Sequence, residues 1–328
     1  MRKFLLSALF AFLLFAGLNG NCAGKIRLGG ISFPHAVIIA NDPAPYGDFE
    51  TLIVPIKRAG NLIIVEAQID TLEGNFVMDT GAPYLVLNAT YFRDAPQIDE
   101  KLSAGINGEA NGGSFTTVVH NFSILDLHYS SITADVTDLS AIENGRGIKI
   151  LGLLGTRLFA KFAITIDLAN NLLYIHKLDD KGNIPPKELV FKEPYLKMPF
   201  KYLNDIIFLQ GAVNDKTMWF VYDSAAETNL LDYSKAKKIL KSMQIINRSK
   251  LTGIGGSSFE VLYARFDKLS LGDKQFLRNR VLVTNLEKMG KAYNYSVDGI
   301  LGYDFFSRGA FTINFVKSDF EMYIYNNN

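Results

Sequence analysis

Two aspartates, Asp79 and Asp223, have the surroundings expected of acid–base groups in this 328-residue chain. Residues 76–82 read FVMDTGA and residues 220–226 read FVYDSAA, so each carboxylate follows an apolar run and precedes a hydroxyl and a small residue. The two positions are 223 − 79 = 144 residues apart. A lone aspartate at a strand end is usually a turn former. Its repetition predicts two carboxylates that meet between two similar lobes.

The repeat extends well beyond the aspartates. Residues 54–57 (VPIK) match residues 198–201 (MPFK) at the same offset, and the match continues without a gap through Val86 and Leu230. Further matches are Gly112 with Gly256, Phe115 with Phe259, Leu125 with Leu269 and Leu127 with Leu271. Gly155 and Gly302 differ by 147, which predicts a three-residue insertion late in the second half. A repeat of this length indicates two copies of a domain.

Short strands rich in β-branched and aromatic residues dominate both copies. The clearest predicted strands are residues 62–69, 115–119, 163–167, 259–264, 281–284 and 310–315. Helical signal is confined to short pieces, and the clearest are residues 156–161, 233–242 and 303–307. This pattern predicts two small β-barrel-like lobes.

The chain divides into five predicted segments. They are a signal peptide (1–23), a lead-in (24–50), a first lobe (51–178), a proline-bearing linker (179–195) and a second lobe (196–328). The basic start, apolar run and small-residue exit of the first segment predict export to the periplasm or the outside of the cell. Asn21 before Cys22 makes a poor lipidation motif, so cleavage near Ala23 is favoured over a lipid anchor. No other run is long enough to span a membrane.

Composition and motifs exclude several classes of function. Hydrophobic residues make up 48% and charged residues 20%, as in globular proteins, and a formal net charge of +1 gives no basis for binding nucleic acid. The four histidines, His35, His120, His128 and His176, lack the spacing of metal ligands. We therefore expect neither a metal nor a cofactor.

The chain resembles the aspartic proteases, most closely their retropepsin-like bacterial relatives. Residues 79–82 match the Asp-Thr/Ser-Gly-Ala signature, and residues 153–155 (LLG) and 300–302 (ILG) match its apolar-apolar-Gly companion. Residues 252–256 (TGIGG) resemble a glycine-rich flap tip, although a plain flexible hairpin loop is an equal reading. Residues 105–108 through Gly113 are the first-lobe counterpart. The resemblance extends from about Val54 to the end of the chain.

The resemblance implies an all-β fold of two homologous retropepsin/pepsin-like barrel lobes with short helices, related by a pseudo-twofold axis. It implies a monomer, an intramolecular pseudo-dimer that acts on a peptide or protein substrate. Thr80 and Ser224 are expected to hydrogen-bond across the lobe interface. The site residues that it implies are the catalytic Asp79 and Asp223, the supporting Thr80, Gly81, Ala82, Ser224, Ala225 and Ala226, and the flap residues Ile106, Gly112, Gly113, Gly253, Ile254, Gly255 and Gly256.

The second motif departs from the family pattern at Ala225, where a glycine is expected. Its methyl group is accommodated if the backbone stays at negative φ; otherwise it pushes the two aspartates apart. Glu227 adds a negative charge near the site. The first hypothesis is therefore an aspartic endopeptidase. The alternatives are an impaired relative that binds peptides without cleaving them, and a structural envelope protein.

Overall fold

Strands account for most of the computed structural model, which describes residues 13–14, 43–105, 110–252, 258–292 and 295–325. The strands up to the linker are β1 (Leu13–Leu14), β2 (Pro45–Tyr46), β3 (Thr51–Ala59), β4 (Leu62–Ile69), β5 (Leu72–Met78), β6 (Leu85–Asn88), β7 (Asp99–Gly105), β8 (Ala110–Ile124), β9 (Leu127–Thr137), β10 (Gly152–Leu154), β11 (Ala163–Asp167) and β12 (Leu172–His176). The later strands are β13 (Leu196–Pro199), β14 (Lys201–Leu203), β15 (Ile206–Val213), β16 (Lys216–Tyr222), β17 (Leu230–Asp232), β18 (Met243–Thr252), β19 (Ser258–Leu271), β20 (Lys274–Thr284), β21 (Gly299–Leu301), β22 (Gly309–Asn314) and β23 (Asp319–Ile324).

Helices are short and lie between the strands. The α-helices are α1 (Ala89–Phe92), α2 (Ser140–Arg146), α3 (Tyr233–Ile239), α4 (Glu287–Ala292) and α5 (Tyr303–Phe306), and the 3₁₀ helices are Thr156–Phe159, Pro186–Glu188 and Leu240–Ser242. The predicted linker is irregular except for the second of these 3₁₀ helices. No helix in the described ranges is long and apolar enough to cross a membrane.

Each lobe contains a closed six-stranded barrel with the same connections. In the first lobe, defined here as β3–β12, the barrel runs β4-β5-β10-β6-β9-β8 and closes where β8 pairs with β4. In the second lobe, β13–β23, it runs β15-β16-β21-β17-β20-β19 and closes where β19 pairs with β15. Closure leaves these strands without free edges. The predicted all-β, two-lobed fold class is confirmed.

One antiparallel sheet joins the two lobes. Its order is β3-β12-β11-β22-β23-β13, so each lobe contributes three strands. At its centre β11 pairs with β22 and Thr165 lies opposite Thr312, with their hydroxyl oxygens 2.7 Å apart. The pseudo-twofold axis therefore passes close to this pair of threonines.

A buried histidine extends this contact through the first lobe. His176 Nδ1 lies 2.9 Å from Thr51 Oγ1, and Nε2 lies 3.1 Å from Thr165 Oγ1. Burial lowers the pKa of His176 to about 4, and the charge of Glu188 opposes this only in part. The imidazole is therefore neutral over most of the pH range, and it connects three threonine hydroxyls across the lobe junction.

Strand pairing locates the insertion earlier than the sequence match did. Leu87 pairs with Val136 in the first lobe, and Leu231 pairs with Val283 in the second. The offsets are 231 − 87 = 144 and 283 − 136 = 147, so the three extra residues fall between these strands. The segment after β17 is also longer, since α3 and its 3₁₀ extension replace the single turn of α1.

The match of Phe115 with Phe259 is consequently wrong. Phe115 pairs with Val136, whereas Leu262 pairs with Val283, so Leu262 is the structural equivalent of Phe115. The matches of Leu125 with Leu269 and Leu127 with Leu271, also placed beyond β6 at an offset of 144, are wrong in the same way. The match of Gly112 with Gly256 stays a prediction, because Gly256 lies outside the described residues. A few shared residue types in an alternating strand do not fix its register, whereas backbone pairing does.

The ends of the chain are described only in part. Within the lead-in, residues 43–50 carry β2, which pairs with β9, and residues 24–42 lie outside the described ranges. Of the predicted signal peptide only residues 13–14 are described, as the strand β1 that pairs with β7.

We predict that His176 makes the protein sensitive to acid. The unfolded histidine gains its proton near pH 6.5 and the folded one only near pH 4. The contribution of His176 to the free energy of unfolding is therefore fully present above pH 6.5 and is lost as the pH falls from 6.5 to 4. H176Q retains a hydrogen-bonding side chain without this titration, and its loss of stability from about pH 7 to about pH 4 should be smaller by about 3 kcal/mol.

Urea unfolding at a series of pH values measures this difference. The exposed His120 provides the control, because H120Q should follow the wild-type curve. Parallel pH curves for H176Q and the wild type would rule out the prediction.

Candidate active site

Equivalent strands deliver the two aspartates to the lobe interface. Asp79 follows β5 and donates its backbone N–H to Leu154 O at 3.0 Å, while Asp223 follows β16 and donates to Leu301 O at 3.0 Å. Their side chains are 2% and 0% exposed. The apolar-apolar-Gly companions therefore hold the backbone of each aspartate in place.

Backbone N–H groups of the following residues orient each carboxylate. Gly81 N donates to Asp79 Oδ1 at 2.9 Å. Ala225 N and Ala226 N donate to Asp223 Oδ1 at 2.8 and 3.1 Å. Such hydrogen bonds stabilise the ionised form of a carboxyl group and partly offset the cost of burying it.

Four buried hydrogen bonds cross-link the two motifs. Thr80 N donates to Ser224 Oγ at 3.0 Å, and Ser224 N donates to Thr80 Oγ1 at 2.9 Å. Thr80 Oγ1 in turn donates to Tyr222 O at 2.9 Å, and Ser224 Oγ to Met78 O at 2.7 Å. Each hydroxyl thus donates one hydrogen bond to a backbone carbonyl of the opposite lobe and accepts one from a backbone N–H of that lobe. These are the cross-lobe hydrogen bonds that the sequence predicted between Thr80 and Ser224.

The two carboxyl groups share one buried environment. Burial, and then the charge of Asp223, raise the pKa of Asp79 well above its usual value. Burial also raises the pKa of Asp223, against the opposing effect of the Ala225 and Ala226 N–H groups. Asp223 Oδ2 is buried and receives no hydrogen bond from a protein donor in the described residues. A proton held between the two carboxyl groups satisfies this oxygen and removes one of two like charges.

Space explains the glycine of the first motif. Gly81 is not among the glycines with positive φ in the described residues, so no unusual backbone conformation requires it. A Cβ at this position would lie 2.6 Å from both Cγ and Oδ2 of Asp223, closer than real Cβ contacts occur. Gly81 therefore allows the second carboxyl group to approach the first motif.

The alanine of the second motif is accommodated. Ala225 is absent from the residues with positive φ in the described ranges, and its N–H still reaches Asp223. The residue is 1% exposed and packs into an apolar cluster of the first lobe that includes Leu62, Val77 and Leu153. Of the two outcomes that the sequence left open, the structure has the one in which the methyl group fits without backbone strain.

Glu227 does not bring an uncompensated charge to the site. Its carboxylate forms an ion pair with Arg146 of the first lobe, and its backbone carbonyl accepts a hydrogen bond from Asn61 Nδ2 at 3.2 Å. Sequence reasoning missed both partners. Arg146 lies in a segment where the copies differ, and Asn61 is an ordinary polar residue of a β-hairpin turn, so neither position carried a signal.

The predicted flaps correspond to two long hairpins, β7–β8 and β18–β19. Their tips are not described. Ile106, Gly253, Ile254, Gly255 and Gly256 all lie outside the described ranges, whereas Gly112 and Gly113 belong to β8. The role of these residues as flaps therefore stays a prediction. In the described parts of the chain, no group of three or more His, Cys, Asp or Glu residues has the geometry of a metal site.

Comparison with known proteins adds one family match. Residues 209–305, which include Asp223 and Gly302, match the family described as aspartyl protease. The comparison with curated proteins found no match. Together with the paired barrels, the family match gives the chain a retropepsin-like fold.

Three similar solved structures all have TM-scores below 0.5. Conglutin gamma, a basic 7S globulin from lupine seeds, is 9% identical, covers 85% of this chain and 95% of its own, and has a TM-score of 0.49. Basic 7S globulin from soybean has 8% identity, coverages of 83% and 94%, and a TM-score of 0.48. A retropepsin-like aspartic protease from Rickettsia conorii has 16% identity, coverages of 42% and 96%, and a TM-score of 0.29.

We predict that D79N stabilises the protein most at high pH. The unfolded carboxyl group loses its proton near pH 3.8 and the folded one at higher pH. Between these values the contribution of Asp79 to the free energy of unfolding falls as pH rises. Asparagine has no such titration, so the advantage of D79N should grow from about pH 4 to about pH 8. Each pH unit of difference between the two pKa values adds about 1.4 kcal/mol.

Thermal and urea unfolding across that pH range measure the effect. The exposed Asp48 provides the matched control, because D48N removes a carboxylate that lies in solvent. A stability difference between D79N and the wild type that does not change with pH would contradict the burial of an acid pair.

Proposed function

We propose that this retropepsin-like chain is an aspartic endopeptidase that hydrolyses peptide bonds with Asp79 and Asp223. The observation that carries the proposal is the pair of buried carboxyl groups, fixed from both lobes by the hydrogen bonds of Thr80 and Ser224. A protein core rarely buries two acids together, because like charges in a medium of low polarity repel strongly. Proton transfer is a chemical use for such a pair.

In the proposed mechanism the dyad begins with one proton. The ionised carboxylate takes a proton from a water molecule as the water oxygen bonds to the peptide carbonyl carbon. The protonated carboxyl group donates its proton to the carbonyl oxygen, which gives a neutral tetrahedral diol. In the second step the carboxyl group that is now protonated gives its proton to the amine nitrogen as the C–N bond breaks. The other carboxylate takes a proton from one diol hydroxyl, so a carboxylic acid and an amine leave and the dyad again holds one proton. The pKa shifts support Asp79 as the protonated member in the free enzyme.

The rest of the proposal concerns substrate and setting. We propose that an extended peptide or protein segment lies between the lobes under the two hairpins, and that the single chain acts as a monomer. No metal or cofactor takes part in the proposed steps. Export through the predicted signal peptide, to the periplasm or outside the cell, is also part of the proposal.

The second candidate function is peptide binding without efficient cleavage. It rests on Ala225, the one position at which the signature Asp-Thr/Ser-Gly-Ala is broken. The fit of this methyl group into the first-lobe cluster supports the enzyme over the binding protein. The third alternative is a structural protein that uses only the double barrel. Such a role would not explain why the chain buries two acidic side chains together.

Replacement of either aspartate tests the dyad. D79N and D223N are each expected to slow peptide cleavage roughly a thousandfold or more, because asparagine cannot exchange the proton. Cleavage of a mixed peptide library by the mature protein, from about pH 3 to about pH 8 and followed by mass spectrometry, measures the loss. D48N is again the control. Full cleavage by D79N would exclude the mechanism.

An inhibitor separates the candidate functions in the same assay. A peptide with a hydroxyl group in place of the scissile bond mimics the diol and should block cleavage if the dyad is active. Tight binding of peptides without cleavage supports the binding protein instead. The absence of both supports the structural role.

Two alanine–glycine exchanges at equivalent positions test the accommodation of Ala225. G81A places a methyl group against the Asp223 carboxyl and should lower kcat roughly a hundredfold or more. A225G removes a methyl group from the first-lobe cluster, so it should lower the free energy of unfolding by about 1 kcal/mol. Its loss of kcat should be at most a tenth of that of G81A. Equal losses in the two variants would contradict the asymmetry.

A further inference from the structure

The loop that carries the second aspartate is fastened to the first lobe. We call residues 223–227 the Asp223 loop. Its N–H groups at Ala225 and Ala226 bond the carboxylate, as described above, and the next residue is Glu227. Besides the hydrogen bonds of Ser224 described above, three further contacts with the first lobe hold this short stretch, namely the packing of Ala225, the Asn61 bond to Glu227 O, and the ion pair of Glu227 with Arg146.

The ion pair is the contact that a single substitution disrupts most, because both of its partners are buried. The side chains of Arg146 and Glu227 are 11% and 8% exposed. Burial also lowers the pKa of Arg146. In a buried environment each charge is stabilised by the opposite charge, and removal of one partner leaves the other without compensation.

The surroundings of Arg146 are built for this contact. Arg146 is the last residue of α2, where the helix dipole favours a cation. Gly60 lies against it, and a Cβ there would be 3.1 Å from its Nη1. Two other charged groups lie near the pair. Arg58 donates to Gly60 O at 3.5 Å and lies over the ring of Tyr303, and Glu143 of α2 bonds Asn88 and Tyr91.

The first motif has no such fastening by charge. The equivalent of Glu227 is residue 227 − 144 = 83, which is Pro83. The first loop keeps its glycine and has no carboxylate at this position. The loop with the methyl group is thus the loop with the ion pair.

We propose that Arg146 and Glu227 are positioning residues, which hold the Asp223 loop so that its N–H groups point at the carboxylate and which keep the charge beside the dyad balanced. The inference rests on the proposed peptidase function. Neither residue touches the reacting atoms. Both act through the Asp223 loop.

If the ion pair balances the charge beside the dyad, its disruption shifts the pH–rate profile, which a loss of stability alone would not do. R146Q leaves a carboxylate near the dyad, which disfavours ionisation of the aspartates and raises their pKa values. E227Q leaves a guanidinium, which lowers them. The alkaline limb of the pH–rate profile should therefore move in opposite directions in the two variants, each by roughly half a pH unit. In R146Q/E227Q it should return close to the wild-type position.

Kinetics of the full mature chain provide the second readout. Both single variants should lower kcat roughly tenfold with a smaller change in KM, because a misdirected Asp223 slows chemistry more than peptide binding. R146K keeps the charge but not the planar fork. It should preserve the pH profile while restoring only part of kcat, and it provides a folded variant if R146Q fails to fold. K197Q, which breaks the exposed pair with Glu321, is the control.

The outcomes separate this inference from the proposed function. Lower stability with unchanged pH–rate profiles, or shifts of both single variants in one direction, would overturn the positioning role while the peptidase stands. If the wild type cleaves nothing, the proposed function fails. The carboxyl carbons of Asp79 and Asp223 are then titrated by NMR in the same variants. Opposite shifts there support the charge balance, and identical titrations overturn it.

Discussion

The burial of two carboxyl groups against each other is the constraint on which the rest of this structure depends. Each group leaves water at a cost that like charge increases. The chain meets part of this cost with N–H donors from the residues after each aspartate, and the raised pKa of Asp79 favours a proton shared by the pair. The N–H donors keep their direction because Thr80 and Ser224 cross-link the two loops. The loops meet because the strand before each one ends at the lobe interface.

The two copies solve the same geometric problem differently. In the first, the absence of a side chain at Gly81 lets the opposite carboxyl group approach. In the second, Ala225 directs its methyl group into the core of the other lobe, and the next charged residue pairs with Arg146. Backbone positions are conserved between the copies while the contacts that hold them are not. The dyad is symmetric in its aspartates and asymmetric in its support.

The sequence predicted the features that the two copies share. The aspartates and the bounds of strands such as β4 and β11 follow from local pattern, which the duplication repeats. The Thr80–Ser224 cross-link was predicted from the family resemblance. Register beyond β6 was wrong, because alternating strands match at several offsets and only pairing selects one. The sequence did not identify Arg146 as a partner of Glu227, for a different reason. Its partner is 81 residues away (227 − 146), and nothing in a single sequence marks a contact between charged residues that the other copy does not share.

The sheet shared by the lobes has a consequence for how such a chain originates. Each half contributes three strands, and at the centre β11 and β22 pair only with each other across the junction. An isolated half would expose that strand edge, and its pairing would depend on its concentration, as in any self-associating protein. Joining the halves by the linker makes the same pairing intramolecular, at an effective concentration fixed by linker length. In the fused chain, the pairing of the two halves therefore does not depend on protein concentration. It also lets each half change on its own, because a mutation in one copy no longer appears in both.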